Sequence, residues 1–319
     1  MELTKKQAEL ISSEYNLGKV KSLKPIAGGW VNYNYELKTD KGKFVVRLFG
    51  AKRKKDTKNR LFTEFNVLSH LHKIKFPYPI PYPLKNKKGG YLINIKKTSL
   101  WVYPYMEGSL IKDYDNAIIK SIARALATYH KYVENIKITN NRKVDSLKET
   151  SKKYKEMRKQ KSNNSANKLM LENLRFFEES LNKVEKIKFN TKQVPLHYDF
   201  HKENLLFDKK QVVGILDFER LLYAPRILDI AHLIKCTYKK DKSGFIKRVN
   251  FIIKEYDKVN PLTKKEKDLI LPMLARDNCR MFERFYKLIG LKNKKIHQGD
   301  LSCLKWTIDV QRLVMGSMG

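Results

Sequence analysis

The 319-residue sequence predicts an α+β fold, with strands gathered ahead of about residue 106 and helices beyond it. Three observations carry this. Residues 24–49 alternate apolar and polar positions around the turns at 26–29 and 40–42, as a β-meander does. From Asn116 onward the apolar residues recur every three or four positions, as in Ile119, Ile122, Leu126, Tyr129 and Val133. Within the helical half, residues 205–207 and 212–218 form two short apolar runs. Asp208-Lys209-Lys210-Gln211 lies between them, which reads as a hairpin.

The elements follow in order. Residues 4–15 read as a helix with Ala8, Leu10 and Ile11 on its apolar side. Residues 31–37 and 44–49 read as strands. In the second, Val45 and Arg47 share one face and Val46 and Leu48 the other. A cation inside so apolar a strand demands an anionic partner. Residues 56–74 read as a helix with a stripe of Leu61, Phe65, Leu68 and Leu71. Glu64 falls at the border of that stripe and is the expected partner of Arg47. The basic run 52–55 before it reads as solvated. A proline-rich loop at 76–83 leads to a strand pair at 91–95 and 100–105, which ends at Glu107-Gly108.

A helix at 116–133 comes next. Residues 137–192 are polar, basic and the least legible, with a break at 162–165 and a helical pattern at 169–184 through Leu171, Leu174, Phe177 and Leu181. This stretch reads as a helical insertion, and equally as the strongest polyanion-binding patch of the chain. Pro225 precedes a helix carrying Asp229, Ile230 and Leu233. Another helix is predicted at 245–256. A last pattern starts near Thr263, is expected to break at Pro272, and resumes through Met281, Phe282 and Phe285.

Residues 197–219 hold three spaced groups: Asp199, Asn204 and Asp217. The hairpin would bring Asn204 beside Asp217, with Asp199 on the loop entering it. One carboxylate can then take a proton from a hydroxyl, while an amide oxygen and a second carboxylate hold magnesium against phosphates. The order His197-Tyr198-Asp199, four residues, Asn204 resembles the catalytic loop of kinases, and Asp217 stands where their later metal-binding Asp does. No Gly follows Phe218, and Asp229-Ile230-Ala231 comes soon after. In these respects the chain resembles the aminoglycoside phosphotransferase and choline kinase superfamily of small-molecule kinases, which includes the type II homoserine kinases. The resemblance covers about residues 20–290.

That resemblance implies a bilobal, protein-kinase-like α+β fold. Residues 1–106 would be the nucleotide-binding lobe and 107–319 the lobe with the catalytic loop, metal site and acceptor site. ATP and Mg2+ would lie in a cleft lined by Arg47, Asp199 and Asp217. Gly28, Gly29 and Asn32 would belong to a loop covering the nucleotide, where glycine lets backbone approach phosphate oxygens. Arg47 would replace the usual strand Lys on the phosphates, fixed by Glu64. Main-chain groups near Tyr103, Tyr105 and Met106 would meet the adenine. Asp199 would be catalytic, with Asn204 and Asp217 the metal ligands. The residue equivalent to Asp229 braces the catalytic loop in this family. His197 and His232 read as structural, and His201 as a loop hydrogen bond. Two departures stand out: Tyr198 where the family commonly has Gly, and Glu203, which adds negative charge just before Asn204.

The bulk numbers set bounds on partners. Three widely spaced cysteines point to a reducing, cytoplasmic location without a disulfide frame or zinc site. No run of eighteen apolar residues would span a membrane, and residues 1–10 lack the apolar core of a signal peptide. Lys and Arg number 67 against 33 Asp and Glu, a net charge of +34, spread along the whole chain. Non-specific polyanion binding at low salt follows from that charge. A second reading is a catalytically silent, kinase-shaped protein that binds RNA through this basic surface. The absence of an A-P-E pattern after Asp217 speaks against a protein kinase. Residues 235–319 carry 20 Lys and Arg against 9 Asp and Glu, a field that repels polycationic aminoglycosides. A small hydroxylated acceptor is favoured: a hydroxy amino acid such as homoserine, an amino alcohol such as choline or ethanolamine, a sugar or a nucleoside. Tyr223, Phe282, Phe285, Tyr286 and Trp306 are the aromatic candidates for a cation cage. Oligomeric state is not legible in the sequence.

Overall fold

The computed structural model describes residues 3–26, 32–49, 57–96, 98–139, 146–159, 165–286 and 298–318. It divides into two compact units, Met1–Lys112 with Lys202–Leu221, and Asp113–His201 with Leu222–Gly319. The hairpin segment thus groups with the strand-rich unit.

In the first unit, helix α1 (Lys5–Glu14) starts at a capping box in which Thr4 and Gln7 satisfy each other's backbone. Strands β1 (Val20–Ile26), β2 (Asn32–Thr39), β3 (Lys43–Phe49), β4 (Ile93–Ile95) and β5 (Thr98–Pro104) form an antiparallel sheet in the order β1-β2-β3-β5-β4. Strand β1, with its Lys, Ser and Pro25, has no strand-like pattern. It is an edge strand, the place where a sheet tolerates proline. Central β3 is buried on both faces. Val46 and Leu48 join Ala8, Ile11 and Tyr15 of α1 and its cap in one apolar cluster. On the opposite face Arg47 pairs in register with Trp101. Helix α2 (Thr57–Lys73) covers that face, where Phe65 meets Trp101 edge to face at 5.2 Å.

Strands β6 (Gln193–Leu196), β7 (Leu205–Asp208), β8 (Gln211–Ile215) and β9 (Leu222–Pro225) make two ribbons, β7-β8 in the first unit and β6-β9 in the second. The β7-β8 hairpin is stitched to its unit by backbone bonds. Ser109 and Phe207 exchange N–H to carbonyl bonds of 2.8 and 2.9 Å, and the Ile215 N–H donates to the Pro79 carbonyl at 3.0 Å. Gly108 makes this approach possible. Its φ is +138°, and a Cβ there would stand 2.8 Å from Leu206 Cβ.

The second unit is helical: α3 (Asn116–Val133), α4 (Leu147–Arg158), α5 (Ser165–Glu185), α6 (Ile227–Cys236), α7 (Lys242–Asp257), α8 (Lys264–Phe285) and α9 (Gln298–Met315). Residues Ile119, Ile122, Leu126, Tyr129 and Val133 of α3 are all buried, as their spacing predicts. The break expected at Pro272 does not occur: α8 runs through it. Its apolar face, with Ile270, Met273, Leu274 and Phe282, is buried on either side of the proline, so packing outweighs one lost backbone bond. Helices α4 and α5, from the least legible segment, are built into the core around α8. The Phe177 and Phe282 rings stack at 3.9 Å, and the Tyr154 hydroxyl donates to the Cys279 carbonyl at 2.7 Å. Among the described residues no helix is long and apolar enough to cross a membrane.

Candidate active site

In the first unit, the hairpin delivers the metal-binding candidates. Leu205 pairs with Ile215, and the Leu216 N–H donates to the Asn204 carbonyl at 2.8 Å, so the backbones of Asn204 and Asp217 run side by side. Asn204 ends a short 3-10 turn, Lys202–Asn204. Strand β8 stops at Ile215, earlier than the apolar run 212–218 predicts, because Asp217 takes a left-handed conformation with φ 55°. Its carboxylate caps the next 3-10 turn, Phe218–Arg220, by accepting the Glu219 N–H at 3.4 Å.

That turn aims Glu219 at the sheet. Arg47 Nη2 donates to Asp217 Oδ1 at 3.1 Å and also to Glu219 Oε1. Asn32, buried at the start of β2, donates its side-chain amide to the same Glu219 oxygen. The anion demanded by Arg47 is thus met on the hairpin as well as on α2. Burial would push the Arg47 guanidinium down, but Asp217, Glu219 and Glu64 outweigh it and hold its pKa well above the ordinary value. Glu64 is itself buried, on the helix covering that face. Tyr103 is buried beside the cluster, and burial pushes its hydroxyl up to about 12. The Tyr105 N–H donates to the Lys43 carbonyl at 3.0 Å. Met106 lines a cavity of about 510 Å³ with Phe76, Tyr78 and Ile80. Gly28 and Gly29 lie outside the described residues.

The donors at the hairpin suit magnesium. Asn204, Asp217 and Glu219 offer oxygen atoms, the choice of a hard cation. Asp217 Oδ1 is taken by Arg47 and the Glu219 N–H, while Oδ2 has no hydrogen-bond partner among the described residues. No group of three or more His, Cys, Asp and Glu residues able to hold a metal occurs among the described residues.

In the second unit, the loop after β6 carries Asp199. Asp229, fully buried in the first turn of α6, accepts the His197 N–H at 2.9 Å and the Tyr198 N–H at 3.0 Å, one on each oxygen. Behind it, His130 lies 3.1 Å from Asp229 and 2.8 Å from the Tyr256 hydroxyl. Asp199 is half-buried, and its carbonyl accepts the His201 N–H at 3.0 Å. The His201 ring is 3.6 Å from the Asp199 carboxylate. His232 is a satisfied histidine, bonded to Asp277 at 2.8 Å.

A model of the phosphotransferase enzyme family matches residues 22–252. The chain belongs to that family. It is a small-molecule kinase by class. A homoserine kinase of Methylobacillus flagellatus is 26% identical over 259 residues, 79% of this chain and 75% of that one. Two solved structures of the family's fold are similar at 14% identity. An aminoglycoside phosphotransferase from Alicyclobacillus acidocaldarius has a TM-score of 0.72, covering 100% of this chain and 96% of that one. An amicoumacin kinase in complex with AMP-PNP, Ca2+ and Ami has a TM-score of 0.67, covering 97% and 94%. The bilobal, protein-kinase-like α+β class follows, and the silent RNA-binding alternative is not favoured.

Within this family the departure at Tyr198 has a plain physical meaning. Its φ of 59° is the left-handed region that glycine enters freely and tyrosine does not. Glu219 is the functional candidate that sequence reasoning missed. Reading Leu216-Asp217-Phe218-Glu219 for its missing glycine hid the carboxylate standing in its place. Its place two residues after the metal-ligand candidate Asp217, across a tight turn, is the available signal.

Proposed function

We propose that the protein transfers the terminal phosphoryl group of ATP to a hydroxyl of a small acceptor. One observation carries this reading: a buried Arg47 held against Asp217 and Glu219, on a hairpin that sets Asn204 beside Asp217. Such a cluster suits a polyphosphate and its metal. Asn204 and Asp217 would hold magnesium, which would draw charge off the phosphates. Arg47, kept charged and directed by Glu64, Asp217 and Glu219, donates to phosphate oxygens. The segment Tyr103, Tyr105 and Met106 borders the adenine. Asp199, on a loop clamped by Asp229, accepts the proton of the acceptor hydroxyl as that oxygen bonds to phosphorus. The bond from phosphorus to the ADP oxygen breaks, and ADP leaves with its electron pair. The transition state is loose, so Asp199 serves chiefly to position the hydroxyl.

The acceptor is a hydroxy amino acid such as homoserine or an amino alcohol such as ethanolamine or choline, in preference to an aminoglycoside. The homoserine kinase relative supports this, and so does the positive field of residues 235–319. An ADP-release assay over hydroxy amino acids, amino alcohols, sugars, nucleosides and aminoglycosides tests it. Turnover of a small amino acid or amino alcohol is expected. Efficient turnover of kanamycin-like compounds at low KM overturns the preference.

A further inference from the structure

A cavity of about 210 Å³ opens in the second unit between the β6-β9 ribbon and the middle of α8. Gln193 and Tyr223 line it from the ribbon, and Arg276, Asp277 and Arg280 from the helix. Arg276 and Arg280 are one turn apart on α8, where like charges repel. Neither makes a hydrogen bond or ion pair to the described residues, and the Nε of each is buried without an acceptor. Arg276 is held in place by the Phe189 ring, 5.0 Å from its guanidinium. Burial, and then the neighbouring Arg280, push its pKa down against the opposing pull of Asp277. A guanidinium does not escape that cost by losing its proton.

The one carboxylate of the cavity is already engaged. Asp277 takes His232 on one oxygen at 2.8 Å and the Tyr198 hydroxyl on the other at 3.5 Å. Asp277 acts on both arginines through space, but its bonds go to His232 and Tyr198, so the two guanidinium groups can still donate to an anion in the cavity. The cavity is also tied to the chemistry. Tyr198 directly precedes Asp199, and its ring stacks on His232 at 4.8 Å. Its backbone is strained where glycine would be relaxed, a strain that persists where surroundings require the side chain.

Building on the phosphotransferase reading, we propose that this cavity is the acceptor pocket and that Arg276 and Arg280 bind a carboxylate of the acceptor. The substrate class is therefore a small hydroxylated carboxylic acid, with a hydroxy amino acid fitting both volume and charge. Amino alcohols without a carboxylate lack the group the arginines select. A polycation meets two like charges at the wall.

The test compares homoserine, 4-hydroxybutanoate and 3-aminopropan-1-ol as acceptors for the wild type, Arg276→Gln and Arg280→Gln, with circular dichroism to confirm folding. Wild type should prefer the two carboxylates. In each variant the kcat/KM ratio of homoserine to 3-aminopropan-1-ol should fall about 10- to 100-fold, the size of a charge-assisted hydrogen bond. Calorimetric binding of 4-hydroxybutanoate, independent of turnover, should weaken alike. If acceptors are phosphorylated with no carboxylate preference, or both variants keep the wild-type ratio, the pocket assignment is overturned and the phosphotransferase reading stands. If 4-hydroxybutanoate binds the wild type and not the variants while no alcohol is phosphorylated, the pocket stands and the phosphotransferase reading falls.

Discussion

Arg47 carries a buried charge that three carboxylates share, and those carboxylates do not do equal work. Asp217 keeps one oxygen open to a cation, whereas the Glu219 contacts run to Arg47 and to Asn32. Asp217→Ala should therefore abolish magnesium-dependent nucleotide binding. Glu219→Gln, which keeps the shape and removes the charge, should weaken it about tenfold, near 1.4 kcal/mol. Calorimetry with ADP, with and without magnesium, reads both. Unchanged affinity in the two variants would remove the hairpin from the nucleotide site. Asp199, Asn204, Asp217, Arg47 and Glu64 were legible because their spacing and their strand or helix context mark them. Glu219, Arg276 and Arg280 were not. Glu219 meets Arg47 and Asn32 far along the chain, the two arginines make no hydrogen bond or ion pair to the described residues, and a charge in a lysine-rich chain carries no local mark of being buried.

The elements were legible where one face alone is buried. The α3 stripe and the alternation of β2 show this, since their periods are written in the residues themselves, whereas β3, buried on both faces, is marked by its apolar run alone. Strand β1 and helix α4 were hidden by lysine-rich compositions that tertiary packing overrides. The same override carries α8 past Pro272. Its N-terminal end is fixed from another helix. Arg226, just before α6, forks onto both oxygens of Glu266 at 2.7 and 2.8 Å and onto Asn260 at 2.7 Å, all buried. Burial alone would raise Glu266, but the bonds from Arg226 and Thr263 outweigh it and leave its pKa below the ordinary 4.5. A carboxylate lowered on folding adds stability that is complete above pH 4.5 and is lost as pH falls through the lowered value. Glu266→Gln should cost about 3 kcal/mol at neutral pH, as loss of one partner of a buried pair does. It should also flatten the acid limb of a melting-temperature profile. An acid limb as steep as the parent's would show that the α6-α8 clamp is not what acid breaks.

For the whole molecule, the proposed roles divide between a strand-rich unit with Arg47, the hairpin and the oxygens of Asn204 and Asp217, and a helical unit with Asp199 and the arginine-lined cavity. The α+β class, and the order of strands before helices, were readable from the change of hydrophobic period near residue 106. The grouping of residues 202–221 with the first unit was not, because it rests on backbone bonds from Ser109 and Pro79 that no side chain announces. Under the proposed function, Asp199 takes the acceptor's proton while other residues hold the nucleotide. The most direct measurement is steady-state turnover of the best acceptor by Asp199→Asn, beside calorimetric ADP affinity of the same variant. The expected result is a fall in kcat of about 10²- to 10⁴-fold, the range of a lost proton acceptor, with ADP affinity kept within about twofold. Wild-type turnover in Asp199→Asn would contradict it.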